Sequence, residues 1–316
     1  MKLNTKILML SAWAALAAPA AGLASGVVLP PFLRSEVTAR VSAMGGVSAA
    51  LPDDAGAMYY NPAGLAYVSE DRGVFSAWNG VDSRSRFVYF SGIFKAGKLG
   101  AFDLSYLRFN STGEDIFDLD RRRNSPALTE KHALGLGWGR ELVKNLALGG
   151  QWKILSSELG RARPDKMSAF DAGVAGRSSD GRFAAGAGIH NTDGERKAAL
   201  APDTTPMTVY LGGAGRFKLP DGSLLAALDF EKPHAQSHAD ARLGLEYSLA
   251  RLALRGGMKT LNGTFFYTAG AGARIRRLAL DYAYEPATRP DKPVHSLTIT
   301  VFFGGERPGT AVRKDQ

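Results

Sequence analysis

The chain of 316 residues contains no cysteine. This absence excludes disulfide bonds, cysteine metal sites, a thiol nucleophile and a lipid-modified cysteine. Beyond the N-terminus, no apolar run approaches the roughly 20 residues that a membrane-spanning helix needs. Hydrophobic residues make up 45% of the chain, which is too few for a bundle of membrane helices and too many for a disordered chain.

Catalytic and metal-binding motifs are also missing. No Ser-His-Asp set stands out, and the glycines of GLGWG (135–139) lie in an alternating pattern that opens no helix, unlike a dinucleotide fingerprint. His234 and His238 lack a third strong ligand beside Asp240. The acidic stretch EDIFDLD (114–120) favours a solvated loop over a calcium site. We therefore predict no enzyme activity, no cofactor, no metal and no nucleic-acid partner.

The N-terminus is typical of a secretory signal peptide. Lys2 and Lys6 precede an apolar run that Pro19 interrupts, and small residues up to Ala24 offer cleavage sites. We predict a cleaved signal over residues 1–24. The alternative is a permanent N-terminal membrane helix, which Pro19 and the many alanines disfavour.

From residue 74 to 303 the apolar residues recur with a period of two, which indicates β-strands. In RRLALDYAYE (276–285), for example, Leu278, Leu280, Tyr282 and Tyr284 share one face. The pattern predicts fourteen strands of about the length that crosses a bilayer. Their expected spans are 73–81, 85–95, 98–109, 130–140, 145–157, 166–177, 182–191, 206–217, 222–231, 240–248, 250–259, 264–275, 276–285 and 294–303.

The connections alternate between tight turns and longer loops, as in outer-membrane barrels. We predict an all-β fold, a fourteen-stranded antiparallel transmembrane β-barrel over residues 73–303, with a basic tail at 304–316. A secreted soluble β-domain is the competing interpretation, because it also alternates and also carries an export signal.

Charged residues of both signs lie on the face that we expect to line the lumen. Mutual neutralisation inside the barrel explains them better than a selectivity filter. This predicted charge ladder comprises Arg242, Glu246, Arg251, Arg255, Lys259, Arg277, Asp281 and Glu285.

Residues 25–72 lack the period of two but contain many apolar side chains, so they need a packed environment. A barrel of fourteen strands has a lumen wider than its wall side chains fill. We therefore expect this segment to plug the lumen as a hatch, with Asp53 or Asp54 and Asn61 capping short helices and Pro62 at a first helical position. The predicted hatch residues are Gly45, Gly46, Asp53, Asp54, Tyr59, Tyr60, Asn61, Pro62, Ala63 and Gly64.

The segment ARVSAMGGVSAALPDDAGAMYYNPAGLAYVSED (39–71) resembles the N-terminal hatch of FadL-like outer-membrane proteins. Together with LLAALDFEKP, ARLGLEYSLARLALRGGM and RLALDYAYEP, it is similar to their PorV/PorQ-like branch. The resemblance implies a fourteen-stranded barrel in the outer membrane and two alternative functions. FadL-like members pass hydrophobic small molecules, whereas PorV-like members hold secreted cargo proteins for type IX secretion.

The remaining expectations concern partners. We expect a monomeric barrel among outer-membrane lipid and lipopolysaccharide. Arg121, Arg122 and Arg123 are candidates for bidentate contacts with lipopolysaccharide phosphates, and a solvated loop tip is the alternative. A structural or adhesive barrel is a third, weaker hypothesis.

Overall fold

A computed structural model describes residues 35–51, 54, 56–80, 85–112, 128–159, 165–192, 207–234, 236–261, 263–286 and 293–303. The predicted signal peptide (1–24), the C-terminal tail (304–316), Asp53 and Arg121, Arg122 and Arg123 lie outside these residues.

Fourteen strands form a closed antiparallel barrel in which each strand pairs with its sequence neighbours and β1 pairs with β14. The predicted all-β class with fourteen antiparallel strands in a closed barrel is thus confirmed. The strands are β1 Arg72–Gly80, β2 Ser85–Lys95, β3 Ala101–Thr112, β4 Leu128–Val143, β5 Leu146–Leu159, β6 Asp165–Arg177, β7 Phe183–His190, β8 Thr208–Leu219, β9 Gly222–Pro233, β10 Asp240–Leu249, β11 Leu252–Leu261, β12 Thr264–Ile275, β13 Leu278–Glu285 and β14 Val294–Phe302.

Closure follows from the pairing of the first and last strands. Residue 72 lies opposite residue 302, and the register continues without a shift to residues 80 and 294. A closed sheet has no edge, so the backbone N–H and C=O groups of every strand have partners on both sides.

The connections divide the barrel into two ends. Tight connections join β2 to β3, β4 to β5, β6 to β7, β8 to β9, β10 to β11 and β12 to β13, and we call this end the turn end. The other seven connections define the loop end. Ala250 and Arg276 adopt positive φ angles of 51° and 53° in two-residue turns, so β11 and β13 begin two residues later than the alternation predicts.

The outward face is apolar around the whole circumference. Exposed side chains on successive strands include Phe90, Leu104, Leu136, Trp152 and Phe170 on one side and Leu211, Leu228, Leu243, Leu254, Tyr282 and Leu297 on the other. A continuous apolar exterior of this kind marks a membrane or protein interaction surface.

The described residues between 35 and 71, which we call the inner segment, lie inside the barrel and contact strands on both sides. The segment contains helix α1 (Ala39–Ala43), helix α2 (Ala57–Tyr60) and a 3-10 helix (Pro62–Tyr67). Its apolar side chains, including Val41, Met44, Met58 and Leu65, are fully buried. Within the described ranges, no helix is both long and apolar enough to cross a membrane.

Candidate functional site

The first half of the inner segment, residues 35–49, is bound to the wall by charged groups. Arg40 donates two hydrogen bonds to the Glu246 carboxylate at 2.7 and 3.0 Å. Arg255 donates to the same carboxylate at 2.7 Å and to Asp281 at 2.7 Å. Each charge in this row therefore has a partner of opposite sign, which offsets the cost of removing it from water.

A second charged group lies nearer the loop end. The Lys259 ammonium contacts Glu36 at 3.0 Å and Glu285 at 2.9 Å. Burial opposes ionisation of Glu36, but Lys259 and Arg242 outweigh it and hold the pKa of Glu36 below its ordinary value. Arg242 also pairs with Glu231 and donates to the Gly46 carbonyl at 3.2 Å.

Gly45 and Gly46 form the bend that follows α1. Their φ angles are +70° and +83°, a conformation that glycine adopts without strain. A side chain at Gly45 would also collide with the wall, because its Cβ would lie 2.7 Å from the Met258 backbone. A tight bend and a close approach to the wall thus coincide at this position.

Backbone groups of the first half bind wall side chains directly. Thr268 accepts from the Gly45 N–H at 2.9 Å and donates to the Ala43 carbonyl at 3.0 Å. Asp229 accepts from the N–H groups of Ser48 and Ala49 at 2.5 and 2.8 Å. These contacts fix the chain between β9 and β12.

The second half, residues 54–71, begins with a side-chain turn. Asp54 accepts from the Gly56 N–H at 2.8 Å and from the Thr38 hydroxyl at 3.0 Å. The sequence predicts Asp53 or Asp54 as the cap of a short helix. In the structure Gly56 is the N-cap of α2, and no side-chain cap hydrogen bond forms there. Asp54 instead shapes the preceding turn and ties it to the first half.

Asn61 caps the 3-10 helix as the sequence predicts. Its Oδ1 accepts from the Ala63 N–H at 3.1 Å, and Pro62 occupies the first helical position. Its amide donates to the carbonyls of Ala49 at 2.9 Å and Val174 at 3.1 Å. One side chain therefore connects both halves of the inner segment to β6.

Glycines of β4 and β5 give the 3-10 helix room against the wall. A Cβ at Gly139 would lie 2.5 Å from the Pro62 carbonyl oxygen and 2.9 Å from Leu65 Cβ. A Cβ at Gly149 would overlap the Pro62 and Ala63 backbone. The sequence analysis did not predict that these glycines make room for the 3-10 helix. The alternate glycines of GLGWG could have indicated it, because they leave the inner face of β4 without side chains at these positions.

An apolar surface faces the loop-end half of the lumen. Tyr59 and Tyr60 pack against inward-facing Phe87, Tyr89 and Leu155. The Tyr60 hydroxyl accepts from the N–H groups of Val37 and Thr38 at 2.7 and 3.1 Å. Burial and the nearby Asp54 carboxylate raise the pKa of Tyr60 well above its ordinary value, so this phenol stays neutral.

Most of the predicted charge ladder lies where expected, and two residues do not. Arg242, Glu246, Arg255, Lys259, Asp281 and Glu285 are brought together in the lumen. The prediction for Arg251 and Arg277 is wrong, because both are exposed at the turn end, in the tight turns after β10 and β12. The two-residue turns take them off the strands on which the alternation had put them.

A further polar group in the lumen was not found from the sequence. Lys153 contacts Asp171 at 2.7 Å and Asn191 at 2.7 Å, and His190 contacts Asp171 at 3.2 Å. The alternation could have indicated this group, because it places Lys153 on β5 and Asp171 on β6 facing the lumen. Among the described residues, no cluster of His, Asp or Glu can hold a metal ion.

Comparison with solved structures finds similar barrels. The Ralstonia pickettii toluene transporter TbuX is 12% identical and matches 86% of this chain and 99% of its own, with a TM-score of 0.60. A Pseudomonas aeruginosa FadL homologue is 14% identical over 85% of this chain and 98% of its own, with a TM-score of 0.60. The Pseudomonas putida toluene transporter TodX is 12% identical over 84% of this chain and 96% of its own, with a TM-score of 0.56.

The chain shares their barrel fold. At these identities the likeness shows the fold and nothing finer. No family model matches the sequence, and no curated protein matches it.

Proposed function

We propose that the chain is an outer-membrane barrel that passes a hydrophobic small molecule, with the inner segment as its gate. The observation that carries this proposal is the likeness in fold, over nearly their full length, to two toluene transporters. The apolar exterior and the closed sheet support the membrane location, because lipid tolerates apolar side chains and no unpaired backbone.

In this proposal the loop end faces outward and the turn end faces the periplasm, as short turns do in bacterial barrels. A ligand enters at the loop end, where Phe87, Phe109, Leu155 and Met167 provide an apolar surface beside Tyr59. Such a surface favours apolar molecules over ions.

The inner segment blocks the way from this surface to the turn end. Near the turn end, a cavity of about 10 Å³ between Asn61, Tyr67 and Ala175 has room for roughly one water molecule. Passage of a ligand therefore requires the second half of the segment to move, and we assign the gate to residues 54–67. The hatch roles of Asn61, Pro62, Ala63 and Gly64 belong to this proposal.

A pair of reversible locks tests the gate. The chain has no cysteine, so Leu65→Cys with Gly139→Cys introduces a single disulfide between the 3-10 helix and β4. The two Cβ atoms would lie 2.9 Å apart, so the helix must shift by less than about 1 Å to reach disulfide geometry. We expect oxidation to stop uptake of radiolabelled toluene by cells that carry the barrel, and a reductant to restore it.

The matched control locks the first half. Met44→Cys with Gly244→Cys gives the same Cβ separation, 2.9 Å, on β10. We expect uptake through this variant to be equal in its oxidised and reduced forms. Uptake that persists in the oxidised Leu65 and Gly139 variant would contradict the gate, and toluene uptake no faster than in cells without the barrel would contradict transport.

The PorV-like alternative gains no support from the solved structures to which the fold is similar. No observation on the described residues favours secretion or adhesion, and the lipopolysaccharide contact of Arg121, Arg122 and Arg123 stays a prediction.

A further inference from the structure

Exposed basic side chains surround the turn end. Five of the six tight connections contain at least one, and at the sixth, between β8 and β9, Lys218 lies two residues before the turn at the end of β8. Further basic residues lie at the adjoining ends of the strands. They are Lys95, Lys98, Arg140, Lys144, Arg177, Arg182, Lys218, Arg251, Arg274, Arg276 and Arg277.

Acidic groups at this end neutralise part of that charge. Five of them, Glu70, Asp71, Glu141, Asp180 and Asp221, stand against the eleven exposed basic groups, which leaves a net charge of about six positive. Glu70 pairs with Arg274 at 3.2 Å. By contrast, Arg251, Arg276 and Arg277 make no ion pair within the part of the chain that the structure describes.

These eleven basic side chains, which we call the basic ring, lie directly beside the apolar exterior. Lys98 is next to exposed Leu99, Arg182 to Phe183, Lys218 to Phe217, Arg251 to Leu252, and Arg276 to Ile275. If the apolar exterior lies in a bilayer, the ring lies at the level of the headgroups on the turn-end side. Long basic side chains at that depth reach phosphate groups while their stems stay on apolar surface.

We propose that the turn end binds anionic phospholipid headgroups of the leaflet that surrounds it. The presence of exposed basic side chains around the whole turn end decides between this partner and an acidic protein. A single protein would contact one patch, whereas headgroups surround the barrel and meet all six turns. Guanidinium groups suit phosphates in particular, since they donate two parallel hydrogen bonds.

The test uses the full chain reconstituted into phosphatidylcholine bilayers that contain spin-labelled lipid. We expect spin-labelled phosphatidylglycerol to be immobilised by the barrel in preference to spin-labelled phosphatidylcholine. Raising the salt from 0.1 to 1 M should reduce this preference, because the Debye length falls from about 10 to about 3 Å.

A charge-removal variant and a matched control locate the effect. Arg251→Gln, Arg276→Gln and Arg277→Gln together remove three charges from neighbouring turns. Each arginine near an anionic surface contributes roughly fivefold to binding, so we expect this variant to lose most of the preference. Arg86→Gln, Lys166→Gln and Lys232→Gln remove three charges at the loop end and should leave the preference unchanged.

The inference rests on the membrane location in the proposed function, and the two fail separately. Flotation of the protein with vesicles tests the location alone. A barrel that floats but shows no preference for phosphatidylglycerol, or one whose preference survives the turn-end substitutions, would overturn the lipid assignment. Circular dichroism of both variants checks that the barrel is folded.

Discussion

The two halves of the inner segment are held against opposite walls by different forces. Residues 35–49 contact mainly β9 to β14, where they pack on wall glycines such as Gly257 and are also held by ion pairs and directed hydrogen bonds. Examples are the contacts of Arg40 with Glu246 and of Ala39 with Thr298. The described residues of 54–67 contact β2 to β6 mainly through apolar side chains and close backbone packing on glycine. Directed polar contacts have one good geometry, whereas apolar contacts are non-directional and tolerate sliding.

This difference explains why we assign movement to the second half. Displacing Arg40 would leave Glu246 and the charges around it buried without a full set of partners, which is costly. Displacing the 3-10 helix exposes apolar surface to a lumen that would then contain an apolar ligand. The ligand replaces the contacts that the helix gives up, so opening and binding support each other.

The largest expected effect on stability comes from removing the ion pairs that hold the first half of the inner segment to the wall. Glu246→Ala removes the carboxylate that Arg40 and Arg255 share, and both guanidinium groups remain buried. We expect a loss of about 3–5 kcal/mol in the free energy of unfolding. Urea-induced unfolding in lipid vesicles, followed by tryptophan fluorescence, measures this change.

Glu70→Ala is the matched control for that substitution. Glu70 pairs with Arg274, whose side chain is 52% exposed at the turn end. An exposed ion pair contributes about 1 kcal/mol or less. Equal losses for Glu70→Ala and Glu246→Ala would show that the buried network does not anchor the first half.

A smaller effect on stability is expected from adding a side chain at a glycine of β5 on which the 3-10 helix packs. In Gly149→Val the new side chain overlaps the Pro62 and Ala63 backbone, so the 3-10 helix must move while the strand pairing stays intact. Overpacking of this kind costs about 1–3 kcal/mol. We expect the displaced helix to raise ion conductance in planar bilayers.

The neighbouring glycine provides the comparison. Gly150 faces outward, and a Cβ there would lie 3.6 Å from the Asp171 carbonyl oxygen, an ordinary contact. Gly150→Val should therefore retain the conductance of the unmodified barrel. If both variants conduct alike, the second half does not close the lumen.

The sequence was sufficient for the barrel because its signal is local. Each strand carries its own alternation, so errors at one boundary do not spread, and the Asn61-Pro62 cap is readable because cap and helix are adjacent. Arg251 and Arg277 were misplaced because a positive φ at the preceding residue turns the chain before the alternation ends. Such a conformation at alanine or arginine has no clear sequence signature.

The pairing of Lys153 with Asp171 and the fit of Pro62 on Gly149 could not be predicted for a different reason. Both depend on which strands face which part of the inner segment, and residues far apart in sequence decide that. The alternation tells which side chains point inward. It does not tell which helix they meet there.

The smallest expected effect concerns the link between the halves. Tyr60→Phe removes the hydroxyl that accepts from the N–H groups of Val37 and Thr38 at the start of α1. Two buried donors then lose their acceptor, and we expect a loss of about 1–3 kcal/mol in the free energy of unfolding. Tyr59→Phe is the matched change in the same helix, and its hydroxyl has no hydrogen-bond partner among the described residues. It should therefore be neutral or slightly stabilising, because a buried polar atom without a partner is removed.

A Tyr60→Phe barrel that is destabilised and also takes up toluene faster would show that this contact holds the second half closed. Destabilisation with unchanged uptake would restrict Tyr60 to a structural role and leave Asp54 and Asn61 as connections between the halves.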